Sequence, residues 1–189
     1  MEALLTSAAV VSLAEIGDKT QLLAILLATR FKKPWPIIAG IFAATVANHF
    51  LAALLGSEAA AFLDSRWFRY AIAASFIAMA VWTLIPDKID DLEDKPARFG
   101  AFLTTAIAFF LVEMGDKTQI ATVALGARFH QVVPVTMGTT LGMMLANVPA
   151  VFLGAELIKR VPLDVVRTVA ALLFLAIGVW LLLQTAGWL

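Results

Sequence analysis

The sequence contains no cysteine, few charged residues and no excess charge of either sign. The absence of cysteine excludes disulfides, thiolate metal sites and thiol redox chemistry. Charged residues make up 15% of the 189 positions and balance to a net charge of zero, which argues against a nucleic-acid partner. The first residues, MEALLTSAAV, carry an acid where a secretory signal would carry basic residues. We therefore interpret them as the start of a spanning helix.

What the sequence has in abundance is apolar residues, at 61% of the chain with a mean hydropathy of +0.90. Soluble domains contain about 45–50% apolar residues, so this composition is typical of a membrane protein. Apolar runs of about 18–25 residues qualify as spanning helices. The predicted fold is an all-α integral membrane protein that crosses the bilayer six times. The six predicted spans are Leu4–Ala28, Trp35–Leu55, Trp67–Ile85, Phe102–Leu125, Val132–Gly154 and Val165–Leu183.

The two halves of the chain repeat each other. A shift of 98 residues aligns Glu15 with Glu113, Pro36 with Pro134 and Phe76 with Phe174, without a gap. We predict a first three-helix repeat at 1–86, an acidic cytoplasmic linker at 87–98 and a second repeat at 99–189. Because each repeat has an odd number of spans, the second enters from the opposite side. Inverted repeats of this kind are common in secondary transporters, with the binding site near the membrane midplane.

The distribution of basic residues predicts the orientation. Loops after the first, third and fifth predicted helices hold Arg30, Lys32, Lys33, Lys88, Lys95, Arg98, Lys159, Arg160 and Arg167, whereas the opposite face holds Arg66, Arg69 and Arg128. Basic residues are enriched on the cytoplasmic side of membrane proteins. We therefore expect both termini to lie outside the cytoplasm, in a protein of the bacterial inner membrane.

Each repeat carries one charged motif inside an apolar run, AEIGDKTQ at 14–21 and VEMGDKTQ at 112–119. An acid at the bilayer centre costs roughly 2.5–3.5 kcal/mol, so the four acids Glu15, Asp18, Glu113 and Asp116 form a functional-site hypothesis. On a continuous helix, Glu and Asp three apart share a face. Their oxygens are the ligands that Mn²⁺, Mg²⁺ and Ca²⁺ prefer. Four acids and two lysines leave two negative charges, equivalent to one divalent cation or two protons.

Other polar residues near the four predicted ligands are expected to line or support the site: Gly17, Lys19, Thr20, Gln21, Asn48, Gly115, Lys117, Thr118, Gln119 and Asn147. The glycines allow close helix approach or a local break in the helix, and the threonines could bond backbone groups freed by such a break or coordinate through water. Each lysine is either a counter-ion that moves away when metal binds or a fixed partner of the glutamate four residues earlier. His49, beside Asn48, either belongs to the site or bonds a neighbouring helix.

The doubled E-x-G-D-K-T motif resembles that of a known family. It matches at Glu15, Gly17, Asp18, Lys19 and Thr20, and again 98 residues later. The chain is similar over its whole length to the family of Golgi calcium/manganese–proton exchangers and bacterial manganese exporters. The resemblance implies that the motif acids are cation ligands and that the cargo is Mn²⁺, exchanged for H⁺.

Several readings stay open at this stage. The transported ion could be Ca²⁺, or the acids could carry protons for the export of a small organic solute of the amino-acid type. A membrane subunit without transport activity is a third reading. An enzyme is disfavoured, because no His-rich, thiol or Ser–His constellation occurs. We expect no prosthetic group and no nucleic-acid partner, only the divalent cation, protons and the lipid bilayer, and a homo-oligomer is left open.

Overall fold

The fold is helical throughout the residues that the computed structural model describes, which are 1–62, 65–85, 99–154 and 162–188. The helices are α1 (Glu2–Glu15), α2 (Lys19–Phe31), α3 (Pro34–Phe62), α4 (Arg66–Thr83), α5 (Ala101–Glu113), α6 (Lys117–Phe129), α7 (Val132–Leu153) and α8 (Leu163–Ala186). These described residues include no strand. The predicted acidic linker at 87–98 lies outside them.

The two predicted helices that contain the motifs are each broken, so the prediction of one continuous helix at Leu4–Ala28 and another at Phe102–Leu125 is wrong. The breaks fall at Gly17, with φ +82°, and Gly115, with φ +77°. Only glycine adopts this left-handed conformation without strain, which is why the motif can interrupt a helix here. Glu15 is the last residue of α1 and Asp18 immediately precedes α2, so the two acids do not share one helix face.

The other four predicted spans correspond to helices with similar bounds, except that α3 continues past the predicted end at Leu55. Among the described residues, three helical segments are long and apolar enough to cross a membrane: Pro34–Ala61, Val132–Leu153 and Leu163–Ala186. Length and composition alone therefore support membrane insertion for α3, α7 and α8. The broken helices are individually too short for a full crossing, at 14 residues for α1 and 13 for α5.

Helices α3 and α7 pack against each other, and each also packs against the broken helices of the other half. A methyl group added at Gly40 in α3 would lie 2.7 Å from the carbonyl oxygen of Phe102 in α5. Gly138 in α7 abuts the carbonyl oxygen of Leu4 in α1 in the same manner. Both glycines and both carbonyls are related by the 98-residue shift. The same close helix contact therefore occurs in both halves, and a Cβ would prevent it.

Helix α4 packs along α8, where the rings of Phe76 and Phe174 meet with their centroids 6.2 Å apart. Large apolar side chains are exposed on the outside of the helices, as at Trp67 and Leu172, whereas both motif glutamates are fully buried. This is the reverse of a soluble protein, in which acids cover the surface. The fold therefore presents apolar side chains on its exterior and encloses the carboxylates of the two motifs.

Candidate cation site

The two helix breaks face each other and bring three carboxylates into one cluster. Oxygen atoms of Glu15, Glu113 and Asp116 all lie within 4.8 Å of one another, and all three residues are buried. Two oxygens bound to the same Mg²⁺ or Ca²⁺ lie about 3–5 Å apart, given metal–oxygen distances of about 2.0–2.6 Å. The cluster is therefore of a size that one divalent cation could bridge, with ligands from both halves of the chain.

The lysines connect the two motifs to each other. Lys117 Nζ lies 2.8 Å from Asp18 Oδ1, and Lys19 Nζ lies 3.0 Å from Asp116 Oδ1. Each lysine thus pairs with the aspartate of the opposite motif. The structure does not have the alternative arrangement, in which each lysine pairs with the glutamate four residues earlier. The helix break removes the geometry that such a pair needs. Asp18, the fourth predicted ligand, faces Lys117 and is not part of the three-carboxylate cluster.

Glu15 is held by hydroxyl groups from both motifs. Thr20 donates a hydrogen bond to one of its carboxylate oxygens, and Thr118 donates to the other. Of the two roles expected for these threonines, bonding to freed backbone groups is not the one observed, since both hydroxyls donate to Glu15. Charge-assisted hydrogen bonds of this kind are stronger than those between neutral groups, so they fix the position of the carboxylate.

Glu113, the repeat counterpart of Glu15, has a different environment. Within the described part of the chain, neither of its carboxylate oxygens has a hydrogen-bond partner. The imidazole of His49 approaches it, with Nε2 at 3.9 Å from Oε2, which is too long for a hydrogen bond. A buried polar group without a partner costs free energy. The two glutamates are thus equivalent in sequence and different in their surroundings.

The glutamines stabilise the helix breaks. The backbone N–H of Gly17 donates to Gln21 Oε1 at 2.9 Å, and that of Gly115 donates to Gln119 Oε1 at 2.7 Å. A helix break leaves backbone N–H groups without intrahelical acceptors, and these two side chains supply the missing acceptor. The glutamines therefore lie beside the carboxylate cluster and hold the backbone that positions it.

The same glutamines also reach the other half of the chain. Gln21 Nε2 donates to the carbonyl oxygen of Ala146 at 2.9 Å, and Gln119 donates to the side-chain oxygen of Asn48. Asn48 and Ala146 are related by the 98-residue shift, so a side-chain acceptor in α3 replaces a backbone acceptor in α7. The other predicted asparagine, Asn147, donates to a carbonyl one turn earlier in its own helix, at 3.1 Å.

The two helix breaks differ in what covers them. A methyl group at Gly17 would lie 2.7 Å from a side-chain carbon of Leu163, at the start of α8, whereas at Gly115 no atom of the described residues lies within 4 Å of that position. The two lysines also differ in exposure: 31% of the Lys19 side chain is exposed, whereas only 5% of the Lys117 side chain is exposed. The sequence offered no signal for Leu163, because a leucine at the start of an apolar helix is ordinary.

Comparisons with known proteins agree on one family. The family model described as "Divalent cation/proton antiporter GDT1" matches residues 3–91 and 101–188. A Vibrio cholerae protein named "Putative manganese exporter" is 52% identical over 176 residues, covering 93% of this chain and 88% of that protein. A GDT1-like protein of Synechocystis is 29% identical over 87% of this chain and 88% of its own length. An Arabidopsis thaliana protein named "GDT1-like protein 3" is 28% identical, over 94% of this chain and 69% of its own length. No solved structure matches the chain significantly.

Proposed function

The chain belongs to the GDT1 family of divalent cation/proton antiporters, and from this premise we propose that it exports Mn²⁺ from the cytoplasm in exchange for protons. The observation that carries the proposal is the buried cluster of Glu15, Glu113 and Asp116, which draws carboxylates from both motifs to within 4.8 Å. We propose that these three residues bind the cation in this conformation. Asp18 joins them when its contact with Lys117 opens.

The charges of the site suit an exchange of one divalent cation for two protons. Each aspartate is paired with a lysine of the opposite motif, so the charge that these pairs leave uncompensated is that of the two glutamates. One divalent cation or two protons would neutralise it. The same pairing disfavours a carboxylate-bearing organic solute as substrate, because both lysines already bind aspartates.

The choice of Mn²⁺ is supported by the Vibrio cholerae relative, whose name assigns it manganese export. Oxygen ligands alone serve Ca²⁺ as well as Mn²⁺, so Ca²⁺ is the alternative cargo.

We propose six membrane crossings, with α1–α2 and α5–α6 each crossing as a broken pair and residues 1–86 and 99–189 forming inverted repeats. The recurring contacts of Gly40 with Phe102 and of Gly138 with Leu4 support this arrangement. The basic residues support the orientation, because most of them lie in the loops after the first, third and fifth predicted spans. We accordingly propose that both termini lie outside the cytoplasm, in a bacterial inner membrane.

Transport would then proceed by alternating access, in which one repeat rocks against the other. The unequal cover of the two helix breaks supports this view. Leu163 covers the break at Gly17, whereas none of the described residues covers the break at Gly115. Under the 98-residue shift the counterpart of Leu163 is Ser65, just before α4. In the opposite state of the transport cycle, the start of α4 would therefore cover the helix break at Gly115.

The test is a titration of the purified protein with Mn²⁺ in weakly buffered solution, with both bound metal and released protons measured. We expect saturable binding with proton release, and at least about tenfold weaker binding in Glu113→Gln. Glu58→Gln is the matched control, because Glu58 is an exposed glutamate of α3 outside the cluster. Binding without proton release, or equal affinity in the Glu113 and Glu58 variants, would refute the proposed site.

A further inference from the structure

Besides Asn48, the two repeats differ in a second buried residue next to the cation site. His49 in α3 and Asn147 in α7 are related by the 98-residue shift, so an imidazole in the first half replaces an amide in the second. Both residues are fully buried. The carboxylates, lysines and threonines of the motif are the same in both halves, so this difference is a chemical asymmetry that arises outside the motif.

The imidazole of His49 is directed at the carboxylate cluster. Its Nε2 lies 3.9 Å from Glu113 Oε2, and within the described ranges neither ring nitrogen has a hydrogen-bond partner. Buried histidines normally bond at least one ring nitrogen, because an unpaired buried polar atom is costly. Here the imidazole and the Glu113 carboxylate, both without hydrogen bonds, face each other at the same point.

The separation between them is what two ligands of one metal ion require. Two ligand atoms at about 2.1 Å from an ion are about 3 Å apart when adjacent and about 4.2 Å apart when opposite. The observed 3.9 Å between Nε2 and Oε2 lies inside this interval. One cation could therefore satisfy an imidazole nitrogen and a Glu113 oxygen together with the other carboxylates.

We propose that His49 is a nitrogen ligand of the transported ion and that it selects Mn²⁺ over Ca²⁺ and Mg²⁺. This inference rests on the proposed function and deepens it by naming the residue that sets the choice of ion. Ca²⁺ and Mg²⁺ bind almost exclusively through oxygen, whereas first-row transition ions also bind imidazole. Replacing one oxygen ligand by an imidazole thus weakens the competition from the two abundant ions and leaves Mn²⁺ bound.

The variant His49→Asn tests this, because it installs the residue that occupies the equivalent position of the second repeat. Thr45→Val is the matched control. Thr45 lies one turn earlier in α3 and is buried, and its hydroxyl has no hydrogen-bond partner in the described part of the chain. Its replacement disturbs a buried polar position of the same helix without removing a nitrogen.

The first readout is the affinity of the purified protein for Mn²⁺ and for Ca²⁺, measured separately. We expect His49→Asn to weaken Mn²⁺ binding by about tenfold or more and to leave Ca²⁺ binding within about twofold, so that the Mn²⁺/Ca²⁺ preference collapses. Thr45→Val should keep the wild-type preference. Equal losses for both ions in His49→Asn would mean that His49 only supports the fold, and would overturn the inference.

The second readout observes the ligand itself. Pulsed electron paramagnetic resonance of bound Mn²⁺ detects a directly coordinated nitrogen through its nuclear modulation of the electron spin echo. We expect nitrogen modulation in the wild type and in Thr45→Val, and its loss in His49→Asn. Bound Mn²⁺ without nitrogen modulation would overturn the role of His49 and leave the proposed function intact. Failure of the folded wild type to bind any divalent cation would overturn both.

Discussion

The pairing of each lysine with the aspartate of the opposite motif predicts a specific pattern of energetic coupling. Lys117→Met would leave the carboxylate of Asp18, whose side chain is 0% exposed, without the ammonium at 2.8 Å. Breaking a buried pair by removing one partner costs about 3–5 kcal/mol. For a chain of this size about 1 kcal/mol corresponds to roughly 2–4 °C, so we expect the melting temperature to fall by about 6–20 °C.

A double-mutant cycle isolates the interaction. Asp18→Asn combined with Lys117→Met removes both charges, so the double variant should be more stable than the sum of the single losses implies, by about 1–3 kcal/mol. The corresponding cycle of Lys19 with Asp116 should show a smaller coupling, because 31% of the Lys19 side chain is exposed and solvent screens its charge.

The assay is thermal unfolding in detergent, followed by the fluorescence of the five tryptophans, with all variants measured in one buffer. The control cycle pairs Lys19→Met with Glu15→Gln, the partner that a continuous helix would supply. Its coupling should stay below about 0.5 kcal/mol. If Lys19 were coupled to Glu15 more strongly than to Asp116, the cross-motif arrangement would be refuted.

Three further outcomes follow from the same geometry. Gly17→Ala and Gly115→Ala share the cost of a left-handed alanine, about 1–2 kcal/mol, but only the new methyl group at position 17 also meets Leu163. Because relieving this overlap costs about 1 kcal/mol more, we expect the Gly17→Ala protein to melt about 2–4 °C below the Gly115→Ala protein. Adding Leu163→Ala should remove that difference. Thr118→Val deletes one of the hydroxyls bonded to Glu15 and should weaken Mn²⁺ binding by about 10–100-fold in equilibrium titration, whereas unchanged affinity would refute the role of this hydrogen bond. Since the bound cation displaces protons from carboxylates, the dissociation constant for Mn²⁺ should rise as the pH falls, and a pH-independent value between pH 5 and 8 would contradict proton exchange at the site.

Much of the architecture was predictable because it depends on patterns that repeat along the chain. The apolar runs located the helices, and the motifs aligned at Glu15 and Glu113 predicted a site at the interface of the two repeats. The assignment to an antiporter family is confirmed by the match to its model. The three clustered carboxylates are among the four acids that the motif predicted as ligands.

The sequence left the helix breaks as one of two alternatives, because a single glycine in an apolar run is also compatible with a continuous helix. Only the backbone conformation distinguishes the two cases. The pairing of Lys117 with Asp18 was missed for the same reason, since it joins residues 99 apart that approach only once both helices are broken.

The asymmetry between the repeats could not be predicted from the motif sequences either. Glu15 and Glu113 have the same neighbours in sequence, yet only Glu15 receives two threonine hydroxyls in this conformation. Which glutamate the threonines hold depends on contacts between residues far apart in the sequence, as between Thr118 and Glu15. His49 was considered as a site residue, but its approach to Glu113 depends on contacts of the same kind.

The central claim is tested most directly by Mn²⁺ transport in proteoliposomes under an imposed pH gradient. Mn²⁺ and proton movements are followed together in the wild type, Glu15→Gln, Glu113→Gln and the control Glu58→Gln, with Ca²⁺ in parallel. We predict that Mn²⁺ accumulates on the acidic side as protons leave, that both motif variants abolish this exchange and that the control retains it. Mn²⁺ transport that does not depend on the pH gradient, or that persists in folded Glu113→Gln protein, would contradict the account.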